Sequence, residues 1–394
     1  MTIRSATGPR LPWDAADPYP FYERHRGVAD PVWDDTAQAW LVFGYHAAQQ
    51  VLGGPGWAID PLANPNAGLA VDAASSELFK RSMLFADGTE HLRLRGAVRD
   101  VFTPSFITGL TAGVEAIAAA VIDHPRTATV FDFMTEIALP LPLAVMGEWL
   151  GLDVESSRLF RTLSSATIRI LVPLATAEEI QTGAAALTRL VAHILPLAAD
   201  RRSNPSDDLL SFIAADPDLQ LDEVVMTALN TAVGGHETTA YLLGTAAIRL
   251  FTPRADGNRM LDELDPADPS LITELLRLES PIQATARTAT QIQRIGDTEI
   301  AQGQQVIVVI AAANRDPAVF DEPDRLRLGR RGPAPLAFGH GPHYCLGAAL
   351  ARLQISVALR RIVARNPVVC GAASWDRSPA LRGPVSLPMR FIGP

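Results

Sequence analysis

Residues 222–251 read DEVVMTALNTAVGGHETTAYLLGTAAIRLF. The spacing is helical over about 30 residues, and apolar side chains fall around most of the circumference. A helix of that kind has no face to turn to water, so it crosses a core and the rest of the chain must pack around it. Asp222 reads as its N-cap and Pro253 marks its end. Its middle holds Gly234-Gly235-His236-Glu237-Thr238-Thr239. Each interior glycine costs about 1 kcal/mol relative to alanine, so a pair of them before an acid and two threonines requires a reason. One is a kink or a close helix contact, with the threonines bonding back to carbonyls four residues earlier. Read alone, the segment leaves a functional reason equally open. Asn230, Val233 and Gly234 are expected on the helix face of Thr238, lining whatever lies there. Asn230 reads equally well as a satisfied core amide.

Composition excludes several classes. The chain has 394 residues, 48% hydrophobic and 20% charged, with a formal net charge of −9. It carries no concentrated basic run, which argues against nucleic-acid binding. Two cysteines, Cys345 and Cys370, cannot build a disulfide framework, so a reducing compartment is expected. The N-terminal residues show no apolar leader, and no stretch reaches the roughly 18 uninterrupted apolar residues of a membrane span. These signs predict a cytoplasmic protein with no membrane association; a monomer is also expected.

Along the chain, a short helix is predicted from Asp17-Pro18 through Tyr22 and His25. Val32-Trp33 and Trp40–Phe43 flank a polar turn and read as a hairpin. Residues 53–75, rich in Gly, Pro and Asn, read as a long loop of the kind often used functionally. The pattern is mostly helical from Glu90 to Phe251. Short strands follow at Thr298–Ile300 and Val306–Ile310, then a helix over Cys345–Val363, and an extended tail from Leu381 to Phe391. No repeat or linker interrupts the sequence, so one domain over 1–394 is expected, mainly α with a small β region.

The segment Phe338-Gly339-His340-Gly341-Pro342-His343-Tyr344-Cys345-Leu346-Gly347 leads directly into the last helical pattern. Its glycines and proline demand a tight, irregular turn. Cys345 is therefore expected at a helix N-terminus, where free N–H groups and the helix dipole favour a thiolate. A thiolate so placed suits the axial position of a haem iron, where it favours O–O cleavage. Cys370, in Pro367-Val-Val-Cys-Gly, reads as an inert buried cysteine. The segment matches the haem-binding signature F-G-x-G-x-H-x-C-x-G at every fixed position. A six-position match arising by chance in this chain is roughly one in a million on average residue usage. The sequence thus resembles the cytochrome P450 family, of the soluble bacterial type.

That resemblance covers nearly the whole chain and implies the P450 fold, with haem b between the central helix and the cysteine-loop helix. It implies Cys345 as the iron ligand, Phe338 and Gly339 as parts of the loop, His343 near a propionate, and Gly347 where a side chain would crowd the ring. The central motif resembles the family's [A/G]-G-x-[D/E]-T-T: Gly234 opens a groove, Thr238 hydrogen-bonds the oxygen undergoing reduction, and Glu237 relays protons. His91 and Arg95 resemble the family's H-x-x-x-R propionate motif, and Arg287 occupies its third propionate-binding position. Glu274 and Arg277 match E-x-x-R, a structural pair whose third partner the resemblance places at Arg325. Substrate walls are expected from the 60–86 segment (Met83, Leu84, Phe85), the helices near 165–180, Asn230 and Val233, Ile282 and Gln283, and Val385.

The function implied is an oxygen-dependent monooxygenase acting on a small or medium organic substrate. The chain is too short to include a fused reductase and shows no dinucleotide-binding fingerprint. A separate ferredoxin and a ferredoxin reductase drawing on NAD(P)H are therefore expected, docking near Arg93, Arg99 and Arg352. Oxidative coupling or ring formation on a carrier-bound substrate, and a non-catalytic haem-binding sensor, are the alternatives.

Overall fold

Helix formation at the centre of the molecule is fixed at both ends by local chemistry. In the computed structural model the central helix runs Leu221–Phe251. Gln220, not Asp222, caps its start. The Glu223 carboxylate accepts the Gln220 backbone N–H at 2.8 Å, and the Asp222 carboxylate bonds the Glu223 N–H at 2.9 Å. Most of the helix is buried on all sides. It packs against Pro140–Leu150, Val154–Ile168, Ala177–Ser203 and Ala348–Ala364.

The structure describes residues 13–14, 16–60, 73–123, 129–171, 173–378 and 380–393. The larger core cluster draws on residues from Trp13 to Phe391. A smaller one lies under the main sheet, among Val42, Tyr45, Val306 and Phe320.

The β region is small. A five-stranded sheet has the order Val32–Asp34, Ala39–Val42, Gln305–Val308, Thr285–Ala289, Trp57–Ala58. Ala39–Val42 and Gln305–Val308 run parallel, and the other pairs are antiparallel. The expected hairpin is the first pair, in register Trp33 to Trp40. The predicted strand Val306–Ile310 stops at Val308, because Ile310–Ala313 turns into a helix. The expected loop over 53–75 is interrupted: Trp57–Ala58 adds an edge strand to Thr285–Ala289, and a helix starts at Ala73, while 61–72 lie outside the described residues. The tail is extended, as Pro384–Ser386 and Pro388–Phe391.

Among the described residues one helix, Ala177–Ser203, is long and apolar enough to cross a membrane, with a mean hydropathy of 1.3 in its most apolar window. It packs against Val154–Ile168 and the central helix.

The E-x-x-R pair is buried beneath the cysteine region. Arg277 Nε and Nη2 donate to the two Glu274 oxygens at 2.8 and 2.9 Å, and the guanidinium also reaches the carbonyls of Asn314, Pro323 and Arg325. The third cation is Arg330, whose Nε lies 3.0 Å from Glu274. Arg325, expected in that role, gives only its backbone carbonyl. Its side chain is 73% exposed and pairs with Glu322. Burial raises the Glu274 carboxyl, but the hydrogen bond from Arg277, the Arg327 N–H and the neighbouring charges outweigh it and hold the group below the ordinary carboxylate range.

Candidate active site

A cavity of about 680 Å³ lies inside the molecule, bounded by the central helix, the cysteine loop, the segments around 83–85 and 168–180, and the strand 285–289. It brings together residues far apart in sequence: Arg95, Gly234, Thr238, Arg287, Phe338, Gly339, His343, Cys345 and Gly347 all line it.

The cysteine loop is held by its backbone. Gly339 and Gly341 have φ of 76° and 74°, a region that disfavours side chains. A Cβ on Gly341 would stand 2.5 Å from the Gly53 Cα, so two backbones meet there. The Cys345 N–H donates to the Phe338 carbonyl at 2.8 Å. The following helix starts at Ala348, later than expected, with Gly347 as its N-cap. Cys345 therefore meets the helix end through the Gly347 N–H. The thiol is exposed to the cavity while lying deep in the molecule. Burial pushes it up, with the Gly347 N–H and the Arg95 charge pulling the other way. Cys370, expected to be buried, is exposed at the surface.

On the central helix, the Thr238 hydroxyl donates to the Gly234 carbonyl at 2.7 Å. A Cβ on Gly234 or on Gly347 would meet no atom within 4 Å, so neither glycine is there to admit a protein neighbour; both open onto the cavity. Glu237 points away from the cavity and is buried, and burial raises its carboxyl above the ordinary range. Asn230 lines the cavity while its amide donates to Ser82 Oγ at 2.8 Å.

Cations gather at one rim. Arg287 is buried and its value falls to about 10 through desolvation, against the pull of the Asp87 charge; among the described residues its hydrogen-bond acceptors are the Ala286 carbonyl (2.7 Å) and Thr285 hydroxyl (3.3 Å). Arg95 is likewise lowered by desolvation and donates to the Tyr344 carbonyl at 2.7 Å. His91 packs against His343, ring centroids 4.0 Å apart and the planes tilted by 34°, and is lowered to about 4 by burial, His343 and Arg95. His343 faces Asp87 at 3.4 Å. Among the described residues neither guanidinium has a hydrogen-bonded carboxylate, and Asp87 acts on Arg287 only through its charge; such cations are costly unless an anion joins them. The donor set therefore fits haem: Cys345 would give the iron a sulfur ligand, and Arg95 and Arg287 would meet the two propionates.

Of the expected substrate walls, Met83, Leu84, Phe85, Asn230 and Ile282 line the cavity and Val233, Gln283 and Val385 do not. At 3.6 residues per turn, Val233 lies about 140° around the helix from Thr238, so it faces protein instead. The Gln283 amide turns to the Tyr22 hydroxyl and the Ser280 carbonyl. Val385 is 43% exposed on a two-stranded edge. Among the expected docking residues, Arg93 is already engaged by Glu90 and Glu223, Arg352 bonds Thr273 and covers the Phe338 ring, and Arg99 is largely exposed, its Nε 3.3 Å from the exposed Asp100 carboxylate.

Comparison with known proteins decides the family. A profile described as cytochrome P450 matches residues 269–369. The chain is 32% identical to 6-deoxyerythronolide B hydroxylase of Saccharopolyspora erythraea, over 90% of this chain and 91% of that protein. It is 35% identical to cytochrome P450 107B1 of the same organism, over 78% and 76%. This chain belongs to the cytochrome P450 family.

As a P450 it also superposes on a ligand-free crystal structure of CYP164A2 from Mycobacterium smegmatis, with a TM-score of 0.85 and 30% identity over 96% of this chain and 97% of that one. It has the P450 fold and it is a monooxygenase of organic substrates, with haem as the family's cofactor. Sequence reasoning missed the groups behind Glu237: Ser165, Arg169 and Asp376. Tyr241, one helical turn beyond Glu237, was the one neighbour whose spacing could have flagged it. Arg169 and Asp376 stand 207 residues apart, and no local pattern joins them.

Proposed function

We propose that this P450 holds haem b through Cys345, with His91, Arg95, His343 and Arg287 around the propionates and Phe338, Gly339 and Gly347 against the ring. The single observation that carries this is one cavity that receives the Cys345 thiol, the Gly234–Thr238 groove and two guanidiniums that bond no carboxylate among the described residues. The haem, when bound, supplies the reductive activation of dioxygen and the insertion of one oxygen atom into the substrate.

The chain's own residues hold, orient and supply protons. Thr238 presents its hydroxyl at the groove, and Glu237, one residue before it, supplies the proton that leaves through that hydroxyl. A carboxyl raised by burial carries its proton nearer neutral pH, which is what a donor needs. The cavity wall is mainly apolar, from Met83, Phe85, Met146, Leu174 and Leu242, with Asn230 its anchored amide. Such a wall selects a small or medium organic molecule and excludes bulk water.

Electrons come singly from a ferredoxin, supplied by a reductase that oxidises NAD(P)H. The ferredoxin docks on the cysteine-loop face, where Arg99 is the exposed cation of the three expected there. The chain works as one domain and as a cytoplasmic monomer, consistent with its lack of a disulfide framework.

The test is the absorption spectrum of the dithionite-reduced protein under carbon monoxide, followed by turnover with a ferredoxin and its reductase. A strongly red-shifted Soret band and NAD(P)H oxidation that requires both proteins are expected. An unshifted band would remove the thiolate assignment; electron uptake without ferredoxin would remove the partner.

A further inference from the structure

Glu237 sits behind the cavity, and among the described residues the one cation beside it, Arg169, is already taken by another acid. Asp376, on the strand–turn segment before the last two strands, accepts from Arg169 Nη1 and Nη2 at 3.0 and 2.5 Å. It also accepts the Tyr241 hydroxyl at 2.5 Å and the Ser378 backbone N–H at 2.7 Å. Four donors thus converge on one buried carboxylate. Glu237 has the opposite lot: its Oε2 is fully buried and has no hydrogen-bond partner, and Ser165 on the neighbouring helix is the side chain that bonds the carboxyl. Arg169 is near enough for Glu237 to feel its charge, yet both its terminal nitrogens are committed to Asp376.

Charge counting gives this meaning. Two buried acids share one guanidinium, and a low-dielectric site with two carboxylates and one cation would carry an unbalanced negative charge. The arrangement with the fewest buried charges pairs Arg169 with an ionised Asp376 and leaves Glu237 as a neutral acid. The charged and titratable groups facing Glu237 are those three elements' own: Arg169 after the helix Val154–Ile168, Asp376 from the tail, and Tyr241 on the central helix. Geometry holds the division in place. The Tyr241 ring leaves no room for a Cβ on Gly383, and the Gly383 carbonyl accepts the Asp376 N–H at 3.0 Å. The tail is thereby clamped to the central helix one turn from Glu237.

We propose that Asp376 is a positioning residue for proton delivery: by occupying both arms of Arg169 it keeps that guanidinium off Glu237, which stays a protonated donor. This rests on the reading of Glu237 as the proton source, and extends it to a residue remote in sequence and out of reach of haem and substrate.

The test reads the carboxyl itself. In the haem-loaded full-length protein, the infrared C=O stretch of protonated Glu237 is identified by difference from Glu237→Gln and titrated with pH. Asp376→Asn releases Arg169, and the Glu237 midpoint is expected to fall by about one pH unit or more. Asp376→Glu should keep the wild-type midpoint, and Asp376→Asn combined with Arg169→Gln should restore a high one. A midpoint unmoved in Asp376→Asn, or still low in the double variant, overturns the proposal. Should Asp376→Asn not fold, Arg169→Gln alone decides: a midpoint at or above wild type supports the proposal, and a lower one overturns it. Because the midpoints come from the carboxyl, they decide the role of Asp376 whether or not Glu237 proves to be the donor.

Discussion

A threonine hydroxyl and a carboxyl one residue apart point to different sides of the same helix, and that division sets what each substitution should do. Thr238 faces the cavity and its hydroxyl is tied to the Gly234 carbonyl; Glu237 faces protein. Glu237→Gln keeps the shape and removes the proton, so substrate binding should persist while product formation falls about 100-fold, the usual scale for losing a positioned acid. Substrate-induced spectral titration and product yield per NAD(P)H check both halves. Thr238→Ala should instead divert electrons to released peroxide with a smaller loss of NAD(P)H oxidation, because proton supply survives and only its delivery is misdirected. The residues of these motifs were legible in sequence because their partners lie within one turn or one loop. Gln283 and Val385 were not, since the direction of a side chain on irregular backbone depends on neighbours such as Tyr22 that come from far along the chain. Val233 could have been placed correctly, because helix geometry alone turns it away from Thr238.

Between elements, two contacts predict how the fold responds to mutation and to acid. Arg277 is fully buried against Glu274, so Arg277→Ala strands a buried carboxylate and should cost about 3–5 kcal/mol. Arg330→Ala should also lower the melting midpoint, whereas Arg325→Ala should leave it unchanged, because Arg325 contributes only its carbonyl. Thermal melts of the three variants would reverse that assignment if Arg325 proved the costlier loss. The sequence showed the i,i+3 pair but could not choose the third cation among several arginines near 325–331. That choice depends on how the loop folds back over the helix Ser270–Leu278.

His236 stands where the central motif admits any residue. It is buried against the helix Val154–Ile168, its Nδ1 lies 3.1 Å from Ser164 Oγ, and burial lowers it to about 4. An unfolded histidine takes its proton near 6.5, so the unfolded chain binds more protons between the two values. Stability from this residue is complete above about pH 6.5 and is lost as pH falls to about 4, by about 3 kcal/mol in all. Chemical denaturation across that range should show the slope, and His236→Gln should reduce it by this residue's share, leaving that of His91. A slope unchanged in the variant would place the acid sensitivity elsewhere.

Across the whole molecule, the helix content, the central helix and the tail were readable because periodicity and capping are local. The edge strand Trp57–Ala58 was not, because two residues carry no period and exist as a strand only by pairing with Thr285–Ala289. Least legible was the balance of charge. The chain is acidic overall, yet its cavity rim gathers Arg95 and Arg287, which bond no carboxylate among the described residues. A molecule that buries cations in this way stores an instability that only its anionic cofactor relieves, so one substitution should act with opposite sign in the two forms. Arg287→Gln removes a desolvated charge from the haem-free protein and should leave its stability equal or higher. On the proposed placement of Arg287 beside a propionate, in the haem-loaded protein the substitution would remove a charge-assisted bond worth about 1.5–3 kcal/mol. Haem transfer to an acceptor apoprotein should then quicken by about tenfold or more, while the melting midpoint of the loaded form falls. If both forms lost stability alike, Arg287 would be a packing residue of the strand Thr285–Ala289, and the cationic rim would owe nothing to the cofactor.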